Sequence, residues 1–311
     1  MAGYRWAMEV ASALRVSRLA TAALATAAIV VLGSGTPTGA TGPARTPSQS
    51  RAVPHSQVVS RSRVSSQSRV LPRTRAVPHS GVLPPRNPPK NLPPDPNFYA
   101  YCASGALDDT VACNSKALQA INRARASERI GSLRFNLANF LKLSVADQLF
   151  VIADLERVSR GEPPMTALTI GLDKVAQAGA GADTDPISSA RKLPGGSEVR
   201  AWGSNWAGGS ENALGSDDGW MYNDGFGSDN GACPYASAAG CWGHRDNILR
   251  VWTSDLAGCP AASSQLVMGA AYARSSKWTT SFAEIFLAAC GPEPTGQVYT
   301  WTQAQAAIGI K

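Results

Sequence analysis

Apolar positions Ala117, Leu118, Ile121 and Ala124 recur at helical spacing behind Asn114 or Ser115, either of which can cap the first turn. The pattern predicts a helix that fades near Ile130-Gly131. Ser144, followed by Asp147, opens a second helix whose buried face runs through Leu149, Phe150, Ala153 and Leu155 until Gly161-Glu162-Pro163-Pro164 stops it. A third helix is expected from about Thr166 through Leu172, Val175 and Ala176, dissolving in Gly179-Ala180-Gly181. Past Pro186 the character changes to Gly, Trp, Ser, Asn and Asp. Trp202–Ala207 reads as a strand that leads into Ser210-Glu211-Asn212, and Leu266–Tyr272 and Ser281–Leu287 are two further strands with a turn at Ser275-Ser276-Lys277. Asp217–Gly231 lacks the spacing of an EF-hand and reads as an irregular loop more readily than as a calcium site. Gly291–Lys311 is expected to wrap the surface. Helices first and antiparallel strands later imply an α+β domain, not a doubly wound one.

The remainder of the chain has a different texture. Arg5, Arg15 and Arg18 precede an apolar run, Leu19–Leu32, and Thr38-Gly39-Ala40 offers small residues for cleavage. Residues 1–40 therefore read as an export signal, with an uncleaved membrane anchor as the alternative. Residues 41–97 are rich in Pro, Ser and Arg and repeat Arg-Ala-Val-Pro-His-Ser at Arg51–Ser56 and Arg75–Ser80. Such a composition buries too little surface to offset chain entropy, so it reads as a disordered linker in which His55 and His79 have no site. The folded domain is expected over residues 98–311.

Charge follows the same division. Residues 1–97 carry 12 Lys/Arg against 2 Asp/Glu, and residues 98–311 carry 17 against 20. Nucleic-acid binding needs positive charge on the folded surface, so this distribution disfavours it. The basic segment suits either a solvated spacer or one resting on anionic wall polymers or lipid headgroups. All six cysteines lie after residue 97, and no pair has CxxC spacing. In an exported chain they are expected as bridges, and of 15 connectivities we take the sequence-neighbour set, Cys102–Cys113, Cys233–Cys241 and Cys259–Cys290.

The domain's single histidine stands in Gly240-Cys241-Trp242-Gly243-His244-Arg245-Asp246-Asn247-Ile248-Leu249. A helix starting at His244 would set the ring beside free N–H groups and the positive end of the helix dipole, favouring a neutral imidazole and an anionic ligand group. The plainer reading is a helix start with a satisfied ring. Asn122, Arg125 and Leu133, then Ser210-Glu211-Asn212, Trp220-Met221, Gly243–Leu249, and the Met268-Gly269 and Phe282 strands together resemble the CAP superfamily of cysteine-rich secretory, antigen 5 and pathogenesis-related 1 proteins, in its bacterial secreted branch. The likeness runs from Ala117 to Cys290.

The resemblance implies a three-layer α-β-α sandwich with a central antiparallel sheet, stabilised by disulfides, and a central cleft. In that family two histidines and two glutamates face the cleft and can hold a divalent cation. Glu211 matches the first glutamate and His244 the second histidine. Asp183, Thr184 and Asp185 stand where the first histidine would fall, and Asn223-Asp224 where the second glutamate would. A metal set would thus draw on Glu211, His244, Asp183, Asp185 and Asp224, an oxygen-rich group suited to a cation harder than zinc. Trp202, Trp206, Trp220 and Trp242 either line a ligand groove or fill the core. The leading expectation is an exported, monomeric, non-enzymatic domain binding a ligand or a cell-surface polymer or lipid in a Glu211/His244 cleft. One alternative is a hydrolase of peptide or wall substrates using that pair. The other is a structural wall protein acting through its basic tail.

Overall fold

The computed structural model describes residues 87, 88, 90–103 and 105–310. The signal segment and the linker as far as residue 86 lie outside the described residues. The last part of the expected linker is tied to the domain. Asn91 donates to the Phe226 carbonyl (2.9 Å) and accepts from Gly225 N–H (2.7 Å), and Leu92 N–H donates to Tyr222 O (2.7 Å). The folded region therefore begins several residues ahead of Phe98.

Three helices open the domain: α1 (Val111–Ser127), the single turn α2 (Leu137–Phe140) and α3 (Val145–Val158). Thr110 caps α1, accepting from Cys113 N–H, so this helix starts earlier than Asn114. Ser144 caps α3, as its hydroxyl chemistry dictates. Next come β1 (Ala167–Thr169), α4 (Ile170–Ala182), β2 (Glu198–Gly208), α5 (Ala213–Tyr222) and α6 (Gly243–Leu249). The chain ends in β3 (Ser264–Ser275), β4 (Thr279–Cys290), β5 (Gln297–Thr300) and α7 (Trp301–Ile308). Two expectations change here. Asp217–Tyr222 is helical, because Asn212 caps the segment by accepting from Gly215 N–H (2.9 Å). The C-terminal stretch forms a strand and a helix whose Ala304 and Ile308 enter the core.

The sheet order is β2-β4-β3-β1-β5. Strands β2, β4 and β3 run antiparallel, but β1 pairs parallel to β3 through Ala167↔Val267 and Leu168↔Met268, while β5 returns antiparallel to β1. The sheet is mixed, where an antiparallel one was expected. The reason is connectivity: a long crossover separates β1 from β3, and only such a connection brings strands together in parallel. Strand β1 is three residues long and buried throughout, so it shows no alternation that separates it from the helix following it.

Alternate side chains of β4 feed two cores. Phe282, Phe286 and Ala288 pack with Ile121 of α1, Leu149 and Ile152 of α3, Leu214 of α5 and Ile248 of α6. Ala283, Ile285, Leu287 and Ala289 pack with Leu172, Ala176 and Ala180 of α4. At Gly269 a Cβ would fall 2.1 Å from the carbonyl carbon of Leu172, so α4 lies with its backbone directly on β3. Helices α1, α3, α5 and α6 thus contribute to one of these cores and α4 to the other. Cys102–Cys113, Cys233–Cys241 and Cys259–Cys290 are bridged, the expected pairing. These bridges fit an oxidising environment. Among the described residues no helix is long and apolar enough to cross a membrane.

Candidate functional site

Helix α6 is short, and its position is fixed from outside. Arg245, almost fully buried, pairs with both carboxylate oxygens of Glu128, just past the end of α1, at 2.9 and 3.0 Å. Arg157 of α3 donates to the C-terminal carbonyls of Ile248 (2.6 Å) and Arg250 (3.1 Å), satisfying groups that a helix end leaves open. Asn247 donates to Ser204 O (2.8 Å) and Asn205 Oδ1 (3.0 Å) of β2. It rests on Gly203, where a Cβ would come within 2.4 Å of its Oδ1. Asn205 completes the clamp, donating to the His244 carbonyl (3.1 Å) and to Glu284 Oε1 (2.7 Å). In the Gly-His-Arg-x-Asn-Ile-Leu stretch, therefore, every named side chain except His244 is occupied with holding the helix.

His244 is held by Asp224, at the start of the loop that follows α5. One carboxylate oxygen accepts from His244 N–H (3.0 Å) and the other lies 2.7 Å from Nδ1. On the opposite side Nε2 lies 3.9 Å from Asp185 Oδ1. Asn230 fixes Asp224 in turn, donating to its Oδ1 (2.7 Å) and carbonyl (3.0 Å) and to Gly240 O (2.9 Å). This reverses the electrostatic expectation at the helix start. Asp224 fills the place foreseen for a ligand anion. Burial alone would lower the imidazole pKa, but the charge and hydrogen bond of Asp224, then Asp185 and Glu284, carry it up to about 9. The ring is cationic at neutral pH.

A cavity opens beside this ring. Its walls include Tyr99, Trp206, Trp220 and Trp278, with His244 and Asp224 at one side and Asp229 and Asn230 of the loop at another. Trp206 and Trp278 meet edge to face, 6.0 Å between ring centroids. Gly208 makes room for both: a Cβ there would fall 2.7 Å from each ring. Trp220 lies 6.5 Å from the His244 ring and donates its indole N–H to Trp206 O (3.2 Å).

Of the residues expected at the site, His244, Asp224, Trp206 and Trp220 come together here. Trp202 is 38% exposed on β2 and does not line the cavity. Trp242 is not among the lining residues either; it packs under the loop, where a Cβ on Gly225 would lie 2.6 Å from its ring. Glu211 is buried close behind the wall, its Oε2 near Gly215, and that oxygen has no hydrogen-bond partner. No hydrogen bond or ion pair joins it to His244, whose ring partners are Asp224 and Asp185. Burial raises the Glu211 carboxyl to about 7. Asp183 ends α4 and accepts from Ser275 (2.7 Å). Glu211, His244, Asp183, Asp185 and Asp224 do not bring three ligand atoms within 4.8 Å of one another. Among the described residues only Cys102, Asp108 and Cys113 do so, and those two cysteines are bonded to each other.

Sequence reasoning missed Tyr99, Trp278, Asn205 and Glu284. For Glu284 a signal existed: it shares a strand face with Phe282 and Phe286, both turned into the core, and a carboxyl in that register demands a partner. Comparisons with protein-family models, curated proteins and solved structures find no match to this chain.

Proposed function

We propose that this chain is an exported, CAP-like binding domain, a three-layer α-β-α sandwich that takes a ligand or a cell-surface component in the cavity beside His244. The observation that carries this reading is the cavity itself, with three indoles and a phenol around an imidazole held by Asp224. Aromatic walls with a few fixed polar groups are the usual composition of a ligand site. The three bridges accord with export, and the basic segment before residue 87 would carry the domain near an anionic wall or lipid surface as a monomer.

A hydrolase is the second reading, favoured by the His244–Asp224 pair, which resembles an oriented general base. The charge state weighs against it. A base works best with a pKa near the operating pH, and an imidazole at about 9 already holds its proton. Ligand-observed NMR of the purified chain with wall fragments and lipid headgroups tests the binding reading. Signals that attenuate with the native chain and recover with Trp220→Leu support it. Turnover of casein, wall fragments or lipid esters that disappears in His244→Ala would replace it with the hydrolase.

A further inference from the structure

The polar groups around the cavity divide into those the protein already uses and those it does not. His244 and Asp224 are paired, so their charges offset one another, and Asp229 is engaged as well. Asn230 spends its amide on Asp224 and Gly240 and its Oδ1 on Ala232 N–H (2.8 Å). The Ser216 hydroxyl donates to Asn212 O (3.3 Å). Three side chains of the lining are left over. The Ser210 hydroxyl, the Asn223 amide and the Tyr99 hydroxyl have no hydrogen-bond partner among the described residues. Ser210 decides most here, because the residue is only 6% exposed. Its carbonyl accepts from the Thr280 hydroxyl (2.6 Å), but its own hydroxyl is unused. A buried hydroxyl without a partner in the protein requires one from what enters the cavity.

The three unused groups are neutral, and each can both donate and accept. Hydroxyl groups on a ligand match them in both roles. An ion gains little where the wall charges are already paired, and a hydrocarbon would leave three polar groups without partners. Trp220, buried in the same wall, offers an apolar surface to the carbons between such hydroxyls. Size narrows the choice further. The cavity volume is about 70 Å³. An apolar cavity of about 150 Å³ holds benzene, so this one takes a body about half that size, too small for a whole sugar ring.

We infer that the cavity takes a small neutral polyol of about glycerol's size, its hydroxyls on Ser210, Asn223 and Tyr99 and its carbons against Trp220. This rests on the reading of the cavity as a binding site, and it names the class of ligand that enters.

The probe is glycerol, set against n-propanol, which keeps the carbon skeleton and one hydroxyl, and against methyl glucoside. Ligand-observed NMR with the full chain reads the binding. Glycerol is expected to bind about fivefold or more tightly than n-propanol, the ratio that two further hydrogen-bonded hydroxyls supply. Ser210→Ala, Asn223→Ala and Tyr99→Phe should each weaken glycerol by about twofold to tenfold and change n-propanol less, a pattern that a general loss of structure does not give. Thermal melts show whether each variant is folded, and the folded ones decide. Glycerol binding no tighter than n-propanol, methyl glucoside binding more tightly than glycerol, or native glycerol affinity in every folded variant would each overturn the inference. Preference for n-propanol or methyl glucoside would leave the cavity a ligand site of other chemistry. Failure of all three probes to bind would overturn the inference and count against the site as well.

Discussion

At the scale of single residues, the state of His244 is set by what stands at each ring nitrogen. Asp224→Asn keeps the side-chain shape and removes the charge that contributes most to raising the pKa. The imidazole should then titrate below about 9, moving toward its ordinary value of 6.5, as followed by NMR of the ring protons. A ring that still titrates near 9 would mean that Asp185 and Glu284 suffice. Gly269 gives a second prediction. A methyl group there meets the backbone of α4, which cannot yield as a flexible side chain can. Gly269→Ala should cost about 1–3 kcal/mol by chemical denaturation, the usual penalty for overpacking. His244 was legible in the sequence because no other histidine follows residue 97, Trp206 because it stands in a recognisable strand, and Trp220 only through the Trp220-Met221 landmark of the resemblance, since its segment reads as a loop. Tyr99 and Trp278 were not, since a ring beside a turn or at the edge of the domain carries no periodicity to say which way it faces.

At the scale of elements, the central question is what holds a seven-residue helix in place, since a segment that short has little stability of its own. The answer is the pair of buried arginines, Arg157 from α3 and Arg245 within α6. Arg245→Ala takes from Glu128 one of its two arginine partners, leaving Arg160, and should destabilise the domain by about 1–3 kcal/mol, the range for losing a hydrogen bond to a buried charged group. Arg245→Lys keeps the charge but loses the two-pronged contact, so partial recovery in urea titration is expected. The loop after α5 poses the same problem without a helix, and the Cys233–Cys241 bridge closes it next to the residues that fix Asp224. Replacing both cysteines by alanine should lower the midpoint modestly and weaken cavity binding more. Unchanged binding would show that Asn230 alone holds the loop. Helices α1 and α3 and strands β2, β3 and β4 were legible because each runs for three turns or a full strand with one period. Strands β1 and β5 were not, because three or four residues show no period, and their identity comes from pairing with distant neighbours.

At the scale of the whole molecule, the fold carries a surplus of buried carboxyl groups. Asp154, Asp217, Asp218 and Glu284 are essentially inaccessible, and both oxygens of Asp217 and of Asp218 are without hydrogen-bond partners. Burial raises all four, Glu284 to about 8, and it raises the partly buried Asp173 to about 6. A carboxyl raised in the folded state stabilises the fold below its unfolded pKa, and that contribution is lost as pH climbs through the folded value. His244 acts in the same direction: its contribution is complete below 6.5 and is lost as pH rises through about 9. Glu156 opposes them. Burial would raise it, but Arg160 and Arg125 hold it below its ordinary 4.5, so its contribution is lost in strong acid. These signs together place the stability maximum on the mildly acidic side. The melting temperature should fall steadily between about pH 5 and about pH 9. Glu284→Gln keeps an acceptor for Asn205 and has no proton to lose. It should therefore flatten the upper part of that fall, by several degrees at about 2–4 °C per kcal/mol for a domain of this size. Melts across the pH series decide the matter: a native profile that is level or rising over that interval would mean that these carboxyls are charged inside the fold, with partners that their surroundings do not show.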